Sequence, residues 1–142
     1  TDIRISSPQS EFGLSEVMRG IIPAGGSLVR LARQIPYAKA MQILLTGDRM
    51  DAEEALRTGF INEIAPADTL MDRAKELGER IADNGPLAVA ACKEAVIRTS
   101  GLSMQDAFAI ENEIGAKVMR SKDAREGPLA FMEKRKANFT GE

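Results

Sequence analysis

Glu16 stands among the apolar residues Phe12, Leu14 and Val17, shortly before a Pro23-Ala24-Gly25-Gly26 break. Two readings of this acid are open. It is either a solvated acid in a helical first turn, favoured there by the helix dipole, or a partly buried carboxyl. Burial disfavours the charged form of a carboxyl and readies it for proton transfer. The Pro-Ala-Gly-Gly stretch is likewise either a plain loop or a place where small residues let backbone amides approach a ligand ahead of a helix. It is no phosphate P-loop, because the Gly-Lys-Ser/Thr ending is missing.

A third candidate lies near the end of the chain, where Phe131 precedes Glu133-Lys134-Arg135-Lys136. This reads either as the solvated face of a terminal helix with one anchoring aromatic, or as a site for a phosphate- or adenine-bearing ligand. In the second reading a lysine supplies a point charge and the ring a stacking platform. Asp48 and Asp51 read as a turn residue and a helix cap rather than a catalytic pair. Cys92, on the apolar side of a helix, reads as buried filler.

Composition narrows the chemistry further. The 142 residues include no histidine and a single cysteine, which excludes the usual zinc constellations, Ser-His and Cys-His nucleophile pairs and any intrachain disulfide. Nineteen basic residues against 21 acidic ones leave a net charge of −2, so nucleic acid is not the expected partner. No apolar run approaches a membrane span and no signal-peptide pattern opens the chain, so the expectation is a soluble, cytoplasmic protein with no membrane partner.

The elements that must position these residues follow from local patterns. Thr1–Ser6 alternates like a strand and is expected to lie in the middle of a longer fold; Ser7–Ser10 is a turn cluster and Glu11–Leu14 an extended stretch. A helix is expected from about Gly26 with Leu28, Leu31 and Ala32 at helical spacing. A second has Pro36 in its first turn and an apolar face of Ala38, Met41, Leu44 and Leu45, closed by Gly47. Asp51 and Glu54 resemble a capping box for a short helix ending near Gly59, and Phe60–Ile64 is strand-like. Beyond Pro66 only helices are predicted. The first carries Leu70, Ala74, Leu77 and Ile81; the second carries Leu87, Ala91, Ala95 and Val96; the third, capped by Ser103, carries Ala107, Ile110, Ile114 and Val118. The last runs from about Asp123 to Lys136.

Four stretches, "TDIRIS", "FGLSEVMRGIIPAGG", "AMQILLTGDRMDAEEALRTGFINEIAP" and "EGPLAFMEKRKANF", together resemble the crotonase superfamily, the enoyl-CoA hydratase/isomerase family, in order and near its spacing. The resemblance implies an α/β crotonase (ClpP/crotonase-like) fold, of which this chain is a C-terminal fragment, mostly helical with a few strands of the β-β-α spiral core. Residues 1–66 would end that core and residues 67–142 would form a helical trimerisation region. The implied assembly is a homotrimer or hexamer, with the upstream half of the fold absent from these residues and expected as a separate or cleaved chain.

The implied activity is enoyl-CoA hydratase-like: reversible addition of water to the trans-2,3 double bond of an acyl-CoA, in fatty acid β-oxidation or related acyl-CoA metabolism. Coenzyme A is part of the substrate and no further cofactor is implied. Glu16 in "GLSEV" matches the acid that exchanges a proton at the α-carbon and helps orient the water. The second glutamate and both oxyanion-hole amides belong to segments upstream of the position matching Thr1, so these residues alone are expected to be inactive. Ala24, Gly25 and Gly26 would line the pocket, Ala24 at a position that is commonly glycine. Phe131 and Lys134 match terminal-helix positions that contact CoA bound mainly by an adjacent subunit. An isomerase or another acyl-CoA lyase or hydrolase of the family is the alternative reading, and a noncatalytic oligomerisation module is a third.

Overall fold

The alternating residues at the start of the chain yield a strand of only two residues, Ile5–Ser6 (β1), which runs parallel to Glu63–Ile64 (β4) with Ile5 opposite Glu63. Flanking bonds lengthen this short pairing. The Asn62 amide donates to the Arg4 carbonyl at 2.8 Å, the Ala65 amide to the Ser6 carbonyl at 2.9 Å, and the Arg4 amide to Asn62 Oδ1 at 2.8 Å. A computed structural model describes residues 1–142, which divide into two compact units, Thr1–Lys75 and Glu76–Glu142.

In the first unit, Glu11–Gly13 (β2) pairs antiparallel with Arg49–Asp51 (β3), placing Phe12 opposite Met50. Three helices complete it: α1 (Ser27–Gln34), α2 (Tyr37–Thr46) and α3 (Ala52–Arg57). Asp51 caps α3 by accepting the Glu54 amide at 2.7 Å, as the sequence predicts. The expected strand over Phe60–Ile64 is shorter than its pattern. The Phe60 and Ile61 amides donate instead to the Ala55 carbonyl, at 2.8 and 3.2 Å, and close the end of α3. Pro36 lies just outside α2 at its N-cap rather than in its first turn.

The core of this unit gathers Leu31, Ile35, Ala40, Ile43, Leu44, Met50, Ala55 and Ile61, with Phe12, Leu14 and Phe60 packed on it. Phe12 and Phe60 meet edge to face, their ring centroids 5.1 Å apart. The buried face of α2 is Ala40, Ile43 and Leu44, whereas Leu45 is 65% exposed and Ala38 is also exposed. Helix α2 keeps Lys39, Gln42 and Thr46 on one side and is apolar elsewhere, so two stripes satisfy helical spacing. Contact with Leu31, Ile35 and Met50 selects the one centred on Ile43.

Helix α4 (Leu70–Ala82) runs from the first unit into the second, which contains α5 (Pro86–Thr99), α6 (Met104–Val118) and α7 (Asp123–Met132). Pro86 occupies the first turn of α5, where its missing N–H costs nothing. Ser103 caps α6 by accepting the Asp106 amide at 3.2 Å. Helices α5 and α6 pack together along Leu87, Ala91, Ile114 and Val118, yet only Ile114 is buried. Cys92, expected as buried filler, is exposed, because α5 buries no residue at all.

Helix α7 stops four residues earlier than its charged run suggests. The Lys134 amide donates to the Phe131 carbonyl at 3.2 Å and the Arg135 amide to the Ala130 carbonyl at 3.0 Å. These two bonds form a Schellman motif. Its left-handed position, where glycine is usual, holds Lys134 at φ 53°, the one residue other than glycine with positive φ. A side chain there costs about 1–2 kcal/mol. The tail then turns back along α7. Phe139 lies over Gly85 and Gly127, and the buried Asp123 carboxylate accepts the Thr140 and Gly141 amides at 2.8 and 2.9 Å. No helix is long and apolar enough to cross a membrane.

Candidate functional site

Strand β2 carries the chain to Ser15, and the next four residues, Glu16–Arg19, form a 3₁₀ turn closed by Gly20 in the left-handed conformation at φ 72°. Glu16 is therefore the first residue of a tight turn rather than of a long helix. Its side chain is half-buried, and Oε2 is shielded from solvent with no hydrogen-bond partner. Leaving a buried acceptor unmet costs about 1–3 kcal/mol, so this oxygen is primed to accept a hydrogen bond or a proton from something that enters the site.

Neighbouring contacts fix the turn without neutralising the acid. Arg19, the nearest cation in sequence, donates to the Ser15 hydroxyl at 2.8 Å and to the Ser15 carbonyl at 3.2 Å. On the other side Met18 seats on Gly47, where an added Cβ would fall 2.6 Å from Met18 Cγ. Gly47 also holds φ 76° as the cap of α2, so both space and backbone require glycine. The sequence reveals Gly47 as a helix stop. It gives no signal of the contact with Met18.

The loop that follows leads from Gly20 to α1. Pro23 is buried, Ala24 and Gly25 are exposed, and Gly26 is half-buried. Gly25 and Gly26 both have positive φ, at 71° and 87°. Ser27 Oγ donates back to the Ala24 carbonyl at 3.1 Å, and Gly26 caps α1 with no side chain of its own. The first amides of α1 thus keep donors free of any side-chain cap. Glu16 and Ala24–Gly26 therefore bound one short excursion, entered through a carboxylate and left through a pair of glycines.

Next to this excursion, Leu14 and Ser27 line a cleft of about 430 Å³ together with Phe12, Leu31, Phe60 and Arg4. Neither Glu16 nor Ala24–Gly26 lines it. The Arg4 guanidinium stacks 4.3 Å from the Phe60 centroid and donates to Gln34 Oε1 at 3.2 Å, while its Nε is buried without a partner. Sequence reasoning passed over Arg4, whose only signal is a cation inside a strand pattern.

In the second unit, Phe131 is 82% exposed at the end of α7, and Lys134 lies beyond the helix. The charged run is not uniformly solvated. Arg135 forks onto Glu126 at 2.6 and 3.0 Å and also reaches Glu133 at 2.6 Å; Lys136 pairs with Asp83 at 2.8 Å. Glu126 also accepts the Asn138 amide at 2.8 Å. The Arg135 bond and that amide hold the Glu126 carboxyl down at about 2. Lys134 is the cation of this run left without a side-chain partner. No cluster of three or more His, Cys, Asp or Glu residues is placed to hold a metal ion.

A family model described as enoyl-CoA hydratase/isomerase matches residues 1–142. The chain is 45% identical over 139 residues to enoyl-CoA hydratase EchA19 of Mycobacterium tuberculosis, covering 98% of this chain and 52% of that protein. It is 42% identical over 144 residues to the carnitinyl-CoA dehydratase of Proteus mirabilis, covering 99% and 55%. It thus spans about half the length of the curated relatives it matches. Among solved structures, an enoyl-CoA hydratase from Mycobacterium tuberculosis H37Rv superposes with a TM-score of 0.95 at 42% identity, over 99% of this chain and 56% of that one. Enoyl-CoA hydratase EchA1 from Mycobacterium marinum gives 0.95 at 43% identity, over 100% and 56%. The two units therefore carry part of the crotonase fold. With all of its residues matched by one model and its backbone shared at more than 40% identity, the chain belongs to the enoyl-CoA hydratase/isomerase family.

Proposed function

We propose that these residues carry one half of an enoyl-CoA hydratase-like active site, in a lyase that adds water reversibly across the trans-2,3 double bond of an acyl-CoA. The observation that carries this reading is the buried, unpartnered Oε2 of Glu16 in a turn that leads to a glycine loop. In hydration the water oxygen bonds to C3 and a proton arrives at C2. Glu16 delivers that proton and recovers one from water, while a second carboxylate, outside these residues, holds the water. The electron pair of the double bond passes through an enolate, whose oxygen needs backbone donors that these residues do not include.

In this reading Ala24, Gly25 and Gly26 line the acyl-CoA pocket beside Glu16, which is not the cleft bordered by Leu14 and Ser27, and Phe131 and Lys134 meet the CoA part of the substrate. Residues 1–66 end the spiral core and residues 67–142 build a trimer, which accounts for the apolar side chains that α5 and α6 leave exposed, such as Val96, Ile97 and Phe108. No cofactor beyond the CoA of the substrate takes part, and the protein works in the cytoplasm. A related protein's name, carnitinyl-CoA dehydratase, fits the same chemistry run towards loss of water. The isomerase reading has its own support, since Glu16 is the one carboxylate with a buried, unpaired oxygen and isomerisation needs a single acid to move a proton.

Product analysis separates the two. The full-length gene product, incubated with crotonyl-CoA, is expected to form 3-hydroxybutyryl-CoA. Conversion of a 3-enoyl-CoA to its 2-enoyl isomer with no hydration of crotonyl-CoA would replace the hydratase reading with the isomerase one.

A further inference from the structure

Lys134 combines two features that seldom coincide. It has a left-handed backbone that costs free energy for a side chain, and it is the one cation in its run with no partner. Strain of this kind persists only where surrounding contacts over-determine it. Those contacts are visible on both sides of Lys134. Arg135 reaches across nine residues to grip both oxygens of Glu126, and Glu133 binds the same guanidinium. Glu126 also takes the Asn138 amide, so one carboxylate holds the chain before and after its reversal.

We propose that Glu126 and Arg135 are positioning residues for the CoA contact: they lock the reversal after α7 and so present the Lys134 ammonium, unpaired, to a phosphate of CoA. This rests on the reading above that Lys134 meets CoA. The division of labour is chemical. Arg135 is spent on a planar, two-point bond to a carboxylate, which suits guanidinium, and Lys136 is tied to Asp83. A flexible lysine on an unconstrained tail would lose rotamer and backbone freedom on meeting phosphate. One already held in place loses less. The Glu126 carboxyl is held far below its ordinary range, so the lock stays charged through neutral pH.

The test is a double-mutant cycle on the full-length gene product, read as the dissociation constant for coenzyme A by titration calorimetry. Lys134→Ala and Glu126→Gln are each expected to weaken CoA by roughly tenfold, the size of one lost charge-assisted contact. The combined variant is expected to bind no more weakly than Lys134→Ala alone. For Glu126→Gln the loss is expected in KM for crotonyl-CoA rather than in kcat. Arg135→Lys keeps the charge but not the fork, and is expected to weaken CoA as well in a chain that still folds. Glu126→Gln and Arg135→Lys binding CoA as tightly as the parent, while Lys134→Ala binds weakly, would overturn the positioning role alone. Additive losses in the combined variant would overturn it too. An unchanged affinity in Lys134→Ala would overturn the CoA contact itself.

Discussion

Replacing Asp123 with alanine should release the end of the chain while leaving the helices in place. Asp123 is only 7% exposed, and its two oxygens accept the Thr140 amide at 2.8 Å and the Gly141 amide at 2.9 Å, with a long contact of 3.4 Å from the Thr140 hydroxyl. Hydrogen bonds to a charged acceptor contribute about 1.5–3 kcal/mol each. The freed amides lie near the chain end and regain water, so the lower figure applies, and two such bonds give about 3 kcal/mol of local stability. That corresponds to amide exchange faster by roughly a hundredfold at Thr140 and Gly141. Because the two amides use separate oxygens, Asp123→Asn can satisfy only one and turns an NH₂ donor towards the other. Asparagine should therefore behave more like alanine than like aspartate. Hydrogen exchange followed by mass spectrometry reads this directly. Exchange at residues 138–142 within twofold of the parent in Asp123→Ala would mean that the Phe139 packing and the Lys122 bonds to Glu142, not the Asp123 carboxylate, hold the tail.

Asp51→Ala removes the acceptor of the Glu54 amide and is expected to destabilise the first unit by about 1 kcal/mol, seen as a lower denaturation midpoint with unchanged slope. An unchanged midpoint would show that solvent replaces the cap at no cost. Acid should loosen the reversal after α7. The Glu126 carboxyl is depressed from 4.5 to about 2, so its contribution is complete above 4.5 and is lost as pH falls towards about 2. Exchange protection of the Asn138 amide should fall through that window, and protection that stays flat down to pH 2 would contradict it.

Much of this architecture was legible because its signals are local. Gly47, Asp51 and Ser103 each punctuate a helix through their own backbone or side-chain chemistry, and each does so where the pattern places it. What failed depended on contacts between distant residues. Which stripe of α2 is buried is decided by Met50 and Leu31, and Cys92 lies open because α5 finds no cover within its unit. The end of α7 carries no stop signal in the sequence, because a lysine stands where glycine normally marks a Schellman stop. The candidate site divides in the same way. Glu16 and its glycine loop could be singled out from neighbours in sequence, but the unpartnered oxygen, the Met18 seat on Gly47 and the grip of Glu126 on Arg135 exist only once the chain is folded.

The role assigned to Glu16 is tested most directly by turnover of crotonyl-CoA in the full-length gene product and its Glu16→Gln variant. Glutamine preserves the size of the side chain and cannot carry the proton, so kcat should fall by about 10²–10⁴-fold, with the Kd for coenzyme A unchanged. A variant that turns over crotonyl-CoA at the parent kcat would remove Glu16 from the chemistry.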